Sequence, residues 1–377
     1  MEKILRYFLI IGILFPRYPD AVGKNGMVVS SNKYATEVGI EILKKGGNAI
    51  DAAIATGFAL AVVHPGAGNI GGGGFMVVRL SDGQITTIDF REVAPIKASK
   101  NMFLDDSLNV IKNKSWSTAY AVGVPGSVAG YSLAHQKFGT KKWKDLIKPS
   151  IILAKKGFPM DLLNMNYLNS SYYNQFLSKD KEASKIFTKE NGKYELGEIF
   201  LQRDLAKTLT RIAKYGSQDF YKGETADMII NCMNRTNGII TYDDLEKYKA
   251  KVREPISFDY RGYKVHSMPP ASSGGITLAG ILNQLENFDL SNMGYHSAKH
   301  IHYVSEAERL VYCDRSEFIG DIDFVPVPIK ELISKEYSLS RSALIDSLKA
   351  NISLNVSTGD IEFDYNEPEE TTHFSVV

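Results

Sequence analysis

The sequence Gly46-Gly47-Asn48-Ala49-Ile50-Asp51-Ala52-Ala53 begins the segment that decides the fold, and Gly71-Gly72-Gly73-Gly74-Phe75 ends it. Residues 49–63 between these motifs are almost all apolar, so that Ala, Gly and Leu lie on every side of a helical projection. A helix with no polar face is buried on all sides. Asn48 is a preferred helix N-cap, and Pro65 disfavours helical geometry at the residue before it. The sequence therefore predicts a central buried helix over 49–63 that leads into a glycine-rich loop.

Helices and strands alternate on both sides of this segment, according to hydrophobic periodicity and turn signals. The predicted elements are helices at 31–43, 276–285 and 296–315, a capping box at Thr241 and Asp244, and strand pairs at 75–80 with 85–90 and at 256–260 with 263–268. The polar stretch 351–370 has little periodicity and is predicted to be a surface loop. These elements indicate a single domain of the α/β class in its broad sense, which mixes helices and strands, and of the α+β type within that class.

The composition excludes several classes of protein. The chain has 377 residues, and its 44 Lys and Arg residues nearly balance 43 Asp and Glu residues, for a net charge of +1. A neutral surface attracts phosphate weakly, which argues against a general nucleic-acid binder. Cys232 and Cys313 are the two cysteines, too few for a disulfide scaffold or a thiolate zinc cluster. The sequence has no run of 18 or more apolar residues, so no internal membrane span is predicted.

The N-terminus has the pattern of a secretory signal. Lys3 and Arg6 precede a short apolar run from Tyr7 to Phe15. Positive charge followed by about 7–15 apolar residues is typical of such signals. We therefore assign residues 1–21 to a targeting segment with an unclear cleavage site and expect a periplasmic or secreted protein. A ragged or mis-started N-terminus is the alternative.

The four consecutive glycines raise the question of a phosphate site. A dinucleotide-binding loop needs the order strand, glycines, helix. A P-loop needs the same order and also has Gly-Lys-Ser or Gly-Lys-Thr at the end of the glycine-rich loop. Here a helix precedes residues 71–74 and a strand follows them. We therefore interpret these glycines as positions where the backbone closely approaches another element or a substrate.

Other candidate sites are weaker. His296, His300 and His302 cluster near Glu306, but the sequence has no His-Glu-x-x-His motif, so we expect polar helix-face histidines rather than a metal site. Cys313 occupies an apolar helical step and is interpreted as a core residue. The sequence has no Gly-x-Ser-x-Gly motif, which leaves a serine-hydrolase elbow without support. No cofactor and no metal is predicted.

Near the C-terminus, Glu369-Glu370-Thr371-Thr372-His373-Phe374 has the pattern of a loop that enters a strand. A threonine in this position is usually a strand former. It gains a chemical role only if the bond before it is cut. An N-terminal threonine combines a hydroxyl nucleophile with its own α-amine, whose pKa near about 8 suits a general base.

A set of motifs that occur in a fixed order along the chain indicates a protein family. The motifs are residues 46–53, His64-Pro65, Gly68-Asn69-Ile70-Gly71-Gly72-Gly73-Gly74-Phe75-Met76, Asp89-Phe90-Arg91-Glu92, Val124-Pro125-Gly126, Tyr260-Arg261-Gly262-Tyr263, residues 268–275, Ala307-Glu308-Arg309, Asp314-Arg315-Ser316-Glu317 and residues 371–377. In these motifs the sequence resembles γ-glutamyltranspeptidases, of the N-terminal-nucleophile hydrolase superfamily. The resemblance covers nearly the whole chain after about residue 25.

The resemblance implies a four-layer αββα sandwich made from a precursor that cuts itself into a large and a small subunit. Residues 22–370 would form the large subunit as a single domain, and 371–377 would begin the small subunit. The Thr371 hydroxyl would attack the Glu370 carbonyl, and hydrolysis of the resulting ester would free Thr371 as the nucleophile. Thr371 would then take the γ-glutamyl group from glutathione and pass it to water, an amino acid or a dipeptide.

The resemblance also gives Arg91 the role of holding the α-carboxylate of the substrate. A guanidinium group suits this role because it can meet a carboxylate with two parallel hydrogen bonds. The alternative interpretation of Arg91 is a surface charge at the end of a strand.

The printed sequence stops at Val377, seven residues into the implied small subunit. In the family, that subunit supplies the oxyanion hole, contacts to the substrate amino group and inner strands of both sheets. The small subunit is thus an obligate partner, and residues 1–377 alone are expected neither to cleave themselves nor to turn over substrate. Two alternatives stay open: an enzyme active with the remainder in the same precursor or in a second chain, and a non-catalytic remnant that acts by binding.

Overall fold

The computed structural model describes residues 21–189 and 192–361. The helices, in chain order, are α1 Lys33–Lys44, α2 Ala49–Val63, α3 Lys114–Ser117, α4 Ser127–Phe138, α5 Trp143–Lys156, α6 Leu162–Asn169, α7 Ser171–Leu177, α8 Lys181–Phe187, α9 Arg203–Tyr215, α10 Ser217–Lys222, α11 Glu224–Thr236, α12 Tyr242–Lys247, α13 Gly274–Leu285, α14 Ala298–Phe318, α15 Ile329–Leu332 and α16 Lys335–Ser342. The strands are β1 Phe75–Arg79, β2 Ile85–Asp89, β3 Phe158–Pro159, β4 Ile199–Phe200, β5 Lys251–Arg253, β6 Ile256–Tyr260 and β7 Tyr263–Ser267.

The strands form three small antiparallel sheets. The sheet that concerns the candidate site has the order β1-β2-β5, with Phe75 opposite Asp89 and Asp89 opposite Lys251. The hairpin β6-β7 and the pair β3-β4 form the other two sheets. The sequence predicted both hairpins because each turn lies between alternating apolar positions. It did not predict the pairing of β5 with β2, because these two strands lie far apart in the chain.

The central helix α2 is buried as predicted. Eleven of its fifteen residues are buried, and Phe58 is completely inaccessible to solvent. Asn48 and Asp51 form a capping box, in which each side chain accepts a hydrogen bond from the backbone N–H of the other residue. The Asp51 carboxylate also accepts hydrogen bonds from the backbone and hydroxyl of Thr140, so the loop after α4 docks on the start of α2.

The pKa of Asp51 reflects this network. Burial would raise it, but the hydrogen bonds from Thr140, Asn48 and Lys141 hold it below its ordinary value. The carboxylate is therefore charged at neutral pH, where its negative charge also complements the positive end of the α2 dipole.

The hydrophobic core has one large cluster and two smaller ones. The large cluster combines α1, α2, α4, α5, α9 and the β1–β2 hairpin, and includes Phe58, Ile88 and Phe90. A smaller cluster joins β6, α13 and α15 through Phe258, Ile276 and Leu332, and another lies between α13 and α14. The mixed helix and strand content confirms the predicted α/β class.

The remaining local predictions agree with the structure to within a few residues. Helices predicted at 31–43, 276–285 and 296–315 are observed as α1, α13 and α14. Thr241 and Asp244 form the predicted capping box at the start of α12. Within residues 21–189 and 192–361, no helix combines the length and apolar character needed to cross a bilayer. Residues 1–20 of the predicted targeting segment lie outside the described residues.

Candidate active site

The glycine loop lies against the end of β2, so the backbone makes a close approach to another element, one of the two alternatives that the sequence predicted. Gly74 and Phe90 exchange backbone hydrogen bonds of 3.2 and 3.0 Å. A Cβ atom on Gly73 would lie 2.5 Å from the Phe90 carbonyl oxygen and 2.7 Å from the Glu92 nitrogen. Only glycine fits at such a distance from another backbone. The loop thus presents its backbone to the chain immediately around Arg91.

The same loop also holds the start of α4. The Gly72 carbonyl accepts hydrogen bonds from the backbone N–H groups of Gly126 at 2.7 Å and Ser127 at 3.0 Å. The Asn69 side-chain oxygen accepts from Gly72 N–H and from the Ser127 hydroxyl, both at 2.8 Å. Two motifs more than 50 residues apart in sequence are therefore joined beside the end of β2.

Gly126 provides a second close approach. A Cβ atom on it would collide with the Phe90 carbonyl oxygen and the Tyr248 hydroxyl. We expect Gly126→Ala to lower the free energy of unfolding by about 2–3 kcal/mol, because a backbone carbonyl cannot move aside as a flexible side chain can. Gly71→Ala is the control, since a Cβ atom at Gly71 meets nothing within 4 Å. Denaturant unfolding of both variants measures the difference, and equal midpoints would contradict the proposed clash.

The backbone of Arg91 is fixed from two sides. Its N–H donates to Asp89 Oδ1 at 3.0 Å, and its carbonyl accepts from the Tyr248 hydroxyl at 2.8 Å. The other Asp89 oxygen accepts from Arg253 Nε at 2.7 Å, across from β2 to β5. Beyond Arg91, Val93 and Val124 pair through backbone hydrogen bonds. The residue is therefore held in place by elements from three separate parts of the chain.

The Arg91 side chain, in contrast, keeps most of its binding capacity. It is exposed, and Nη1 donates one hydrogen bond of 3.1 Å to the Ala271 carbonyl. Among residues 21–189 and 192–361, its guanidinium has no carboxylate partner. A guanidinium fork carries five N–H donors, so most of its donors and its full charge stay available to a carboxylate ligand. The contact to Ala271 also places the motif at 268–275 beside Arg91.

A network of charges stabilises the support beneath Arg91. Arg253 binds Asp89 and also forms hydrogen bonds with both carboxylate oxygens of Asp323, one of which Lys251 approaches at 2.7 Å. Hydrogen bonding to Asp323 and then Asp89 raises the pKa of Arg253, although burial opposes this rise. The bond from Arg253 lowers the pKa of Asp323 to about 2, against the opposing effect of partial burial. The two acidic groups therefore keep Arg253 charged and oriented.

This network predicts a pH-dependent contribution to stability. The folded-state pKa of Asp323 lies below its ordinary value of 3.8, so its contribution to stability is complete above that pH and is lost as the pH falls towards 2. At neutral pH, we expect Asp323→Asn to cost about 1–2 kcal/mol of unfolding free energy, less than the pKa shift alone gives, because solvent screens the partly exposed carboxylate.

The measurement is the free energy of unfolding of both proteins at pH 7 and at about pH 2, with Asp106→Asn as a control at an exposed carboxylate. The difference between wild type and Asp323→Asn should shrink at the lower pH. A difference that stays constant or grows would show that the Asp323 charge does not stabilise the fold.

Two stacked tyrosines complete the support. The rings of Tyr221 and Tyr248 are nearly parallel, with centroids 5.8 Å apart. Burial raises the pKa of both hydroxyls far above neutral pH, and their mutual proximity adds to the rise at Tyr248. Both therefore stay protonated and act as donors, Tyr248 to the Arg91 carbonyl and Tyr221 to the Pro125 carbonyl at 2.8 Å.

The structure also bears on the other candidate residues that the sequence singled out. Glu370 and Thr371 lie outside the described residues. His302 bonds through Nε2 with the Asp346 carbonyl, and the ring of His296 stacks on Tyr295. Within the described residues, no three His, Cys, Asp or Glu side chains are grouped so that they could hold a metal ion. Cys313 is half-buried, and burial followed by Asp314 raises the pKa of its thiol.

Sequence reasoning missed the residues that support Arg91 from a distance. Arg253, Tyr248 and Asp323 carried no motif, yet they fix Asp89 and Arg91. Arg253 and Tyr248 are 164 and 157 residues from their partners in the chain. No local periodicity reports such a contact. The available signal was the acidic residue two positions before Arg91, which implied a basic partner without identifying it.

Comparisons with known proteins bear on the family of this chain. The family model described as gamma-glutamyltranspeptidase matches residues 35–377. Glutathione hydrolase proenzymes of Pseudomonas sp. strain A14 and Escherichia coli K12 are 46% and 48% identical to this chain over 94% of its length. The chain spans 61% and 60% of the length of these relatives.

A solved structure gives the same result at the level of the fold. The crystal structure of Helicobacter pylori γ-glutamyltranspeptidase superposes with a TM-score of 0.88 at 46% identity, covering 90% of this chain and 97% of that chain. The predicted fold class, that of the N-terminal-nucleophile hydrolases, is thereby confirmed. With a family model that matches most of its length and relatives at more than 40% identity, this chain belongs to the γ-glutamyltranspeptidase family.

Proposed function

We propose that this chain supplies the large-subunit part of a γ-glutamyltranspeptidase, which hydrolyses or transfers the γ-glutamyl group of glutathione and related γ-glutamyl compounds. The observation that carries the proposal is Arg91, whose backbone is fixed by Asp89 and Tyr248 while its guanidinium stays exposed without a carboxylate partner among the described residues. A charge held in this way is suited to an anionic ligand, since little conformational freedom is lost on binding.

In this proposal, Arg91 binds the α-carboxylate of the γ-glutamyl group. Two parallel N–H to oxygen bonds would orient the carboxylate as well as attract it. The glycine loop and the 268–275 segment flank Arg91, so the substrate would lie against backbone rather than against bulky side chains. Orientation of this kind places the γ-carbonyl for attack and is a large part of what positioning residues contribute to rate.

Thr371 is the proposed nucleophile for both processing and turnover. In processing, its hydroxyl oxygen attacks the Glu370 carbonyl carbon, the amide bond breaks, and water hydrolyses the ester to leave a Glu370 carboxylate and a free Thr371 amine. In turnover, the same oxygen attacks the γ-carbonyl of glutathione and the cysteinylglycine amine leaves with a proton. Water or an amino acid or dipeptide then takes the γ-glutamyl group from the ester, while the Thr371 amine serves as the base.

The proposed organisation follows from this chemistry. Residues 22–370 form the large subunit, residues 371–377 begin the small subunit, and residues 1–21 form a targeting segment for a periplasmic or secreted protein. The small subunit is an obligate partner, because a developing oxyanion needs preorganised donors worth about 3–4 kcal/mol each. We use the term full-length precursor for the polypeptide that carries this chain together with that small-subunit part.

The experiment is to purify the processed full-length precursor and measure glutamate released from glutathione, with and without a dipeptide acceptor. We expect glutamate as the product without the acceptor and a new γ-glutamyl dipeptide when the acceptor is present. A glutathione analogue without the α-carboxylate is the matched control and should react far more slowly. A processed protein that releases no glutamate, or that does not distinguish the analogue, would contradict the proposed function.

A further inference from the structure

Helices α13, α14 and α16 enclose a small cavity beside the hydrophobic cluster that joins β6, α13 and α15. The cavity has a volume of about 10 Å³. Part of its wall is apolar and is formed by Ile276, Gly280, Val311, Ile319 and Leu332. The rest is polar and is formed by Gln284, Asp314, Arg315, Tyr337 and Ser338. Polar groups from three helices therefore face one enclosed space.

Two buried atoms of the polar wall lack a hydrogen-bond partner among the residues that the structure describes. They are the side-chain oxygen of Gln284 and the hydroxyl of Ser338. Each of these two residues is only 1% exposed. In folded proteins, most buried polar atoms bond to the protein or to an ordered water, because an unpaired one lowers stability. Two such atoms on one cavity indicate a polar molecule between them.

The cavity lies on a polar seam between α13 and the segment 333–342. On one side of it, the Asn283 side chain donates to the Ile333 carbonyl at 2.8 Å. On the other side, the Asn287 side chain donates to the Ser342 hydroxyl at 3.2 Å. Gln284 and Ser338 fall between these direct contacts in both segments. A bridge between them would complete the seam at the one step where the two side chains do not bond directly.

The size and charge of the cavity restrict what this bridge can be. A volume of about 10–15 Å³ is just enough for one water molecule, which excludes organic ligands and phosphate. A cation would lie close to Arg315 and an anion close to Asp314, since both residues line the cavity. A neutral water avoids both conflicts. It can donate to the Gln284 oxygen and accept from the Ser338 hydroxyl.

Tyr337 supplies a third polar group for such a water. Burial, and then the nearby charge of Asp314, raises the pKa of its hydroxyl far above neutral pH. The hydroxyl is therefore protonated and is able both to donate and to accept. Buried waters typically make about three hydrogen bonds, which is the number of groups that Gln284, Ser338 and Tyr337 offer together.

We propose that this cavity is a binding site for one structural water molecule, which bridges the Gln284 oxygen on α13 and the Ser338 hydroxyl on α16. The site goes beyond the proposed function, because no step of the proposed reaction uses it. Its role is to join two helices where direct side-chain contacts are interrupted. The water is thus a fixed component of the fold, and its loss should be measurable as a loss of thermal stability.

The sign of one substitution distinguishes an occupied site from a dry one. In a dry cavity the Ser338 hydroxyl has no partner, so Ser338→Ala would remove an unpaired group and leave the Tm unchanged or higher. With the water bound, the same substitution removes a partner of that water. We then expect the Tm to fall by about 1–3 °C, although alanine is the better helix former.

The measurement uses the full-length precursor after processing, with Ser340→Ala as the matched control. Ser340 is exposed on the same helix, and its hydroxyl donates to the Tyr337 carbonyl at 2.8 Å. The control should change the Tm by less than about 1 °C. A second variant, Gln284→Met, removes the amide at similar volume and should also lower the Tm. The double variant Gln284→Met/Ser338→Ala should lose less than the sum, since both changes act on the same water.

A crystal structure of the processed protein that shows ordered waters gives the direct observation. We expect one water within about 3.2 Å of both the Gln284 oxygen and the Ser338 hydroxyl. A dry cavity, a direct bond from either atom to a protein group, or an unchanged or higher Tm in Ser338→Ala would overturn the inference. Losses that simply add in the double variant would also overturn it, because independent sites do not share a bridging molecule.

Discussion

Replacing Thr371 by alanine is expected to leave the full-length precursor as a single chain and to lower γ-glutamyl transfer by at least about ten-thousandfold. The reason is that one hydroxyl performs two steps in the proposed mechanism. Without it, no ester can form at Glu370, and no acyl-enzyme can form with glutathione. The measurements are gel mobility over several days and the rate of glutamate release from glutathione.

Two neighbouring variants sharpen this prediction. Thr371→Ser keeps an oxygen nucleophile but loses the methyl group that restricts its rotamers, so it should process slowly and keep part of the activity. Thr372→Ala changes the next threonine and should process at close to the wild-type rate. Appearance of two subunits in Thr371→Ala would place the cleavage elsewhere and remove Thr371 from the proposed role.

The substitution Arg91→Lys is expected to raise the KM for γ-glutamyl substrates at least about tenfold, equivalent to about 1.4 kcal/mol of binding. Lysine keeps the positive charge but loses the planar fork that meets both carboxylate oxygens. Processing should be largely unaffected, since self-cleavage uses no free substrate. Initial rates at a series of glutathione concentrations measure the effect.

Arg79→Lys is the control for this prediction, because Arg79 is an exposed arginine on the same hairpin. It should leave KM and kcat within about twofold of wild type. Unchanged kinetics in Arg91→Lys would return Arg91 to its alternative interpretation, a surface charge at the end of a strand. Slower processing together with weaker binding would indicate a structural role instead.

Local chemistry explains which parts of the fold were predictable from sequence. The capping box of α2, the turn at Ser81-Asp82-Gly83 and the apolar spacing of α1 depend on residues a few positions apart, and each is observed. The pairing of β2 with β5 depends on Asp89 meeting Arg253, 164 residues later. Tertiary contacts of this kind leave no periodic signal, so the third strand of this sheet was missed.

In the candidate site, too, the sequence predicted local features and missed contacts between distant parts of the chain. The family resemblance selected Arg91, and the predicted order of helix, glycines and strand around residues 71–74 is the order observed. Neither could show that Gly73 and Gly126 both lie so close to the Phe90 carbonyl oxygen that a Cβ atom would not fit. The support from Tyr248 and Asp323 was also invisible, because a tyrosine and an aspartate on separate surface segments resemble ordinary solvent-facing residues.

Residues 351–361 illustrate a third limit. A polar, irregular stretch reads as a loop, and the described part, residues 351–361, has no long element. Its position instead depends on buried acids on another helix, Glu306 and Asp314, whose carboxylates accept hydrogen bonds from Asn351 and Gly359. Buried carboxylates can be recognised only when their partners are known.

The central claim is that cleavage between Glu370 and Thr371 creates the nucleophile. Intact-mass spectrometry of the purified full-length precursor, combined with N-terminal sequencing of the smaller fragment, tests it most directly. The account predicts a larger fragment whose mass ends at Glu370 and a smaller fragment whose first residues are Thr-Thr-His-Phe-Ser. An active protein that stays as one chain, or a smaller fragment that begins at any other residue, would contradict it.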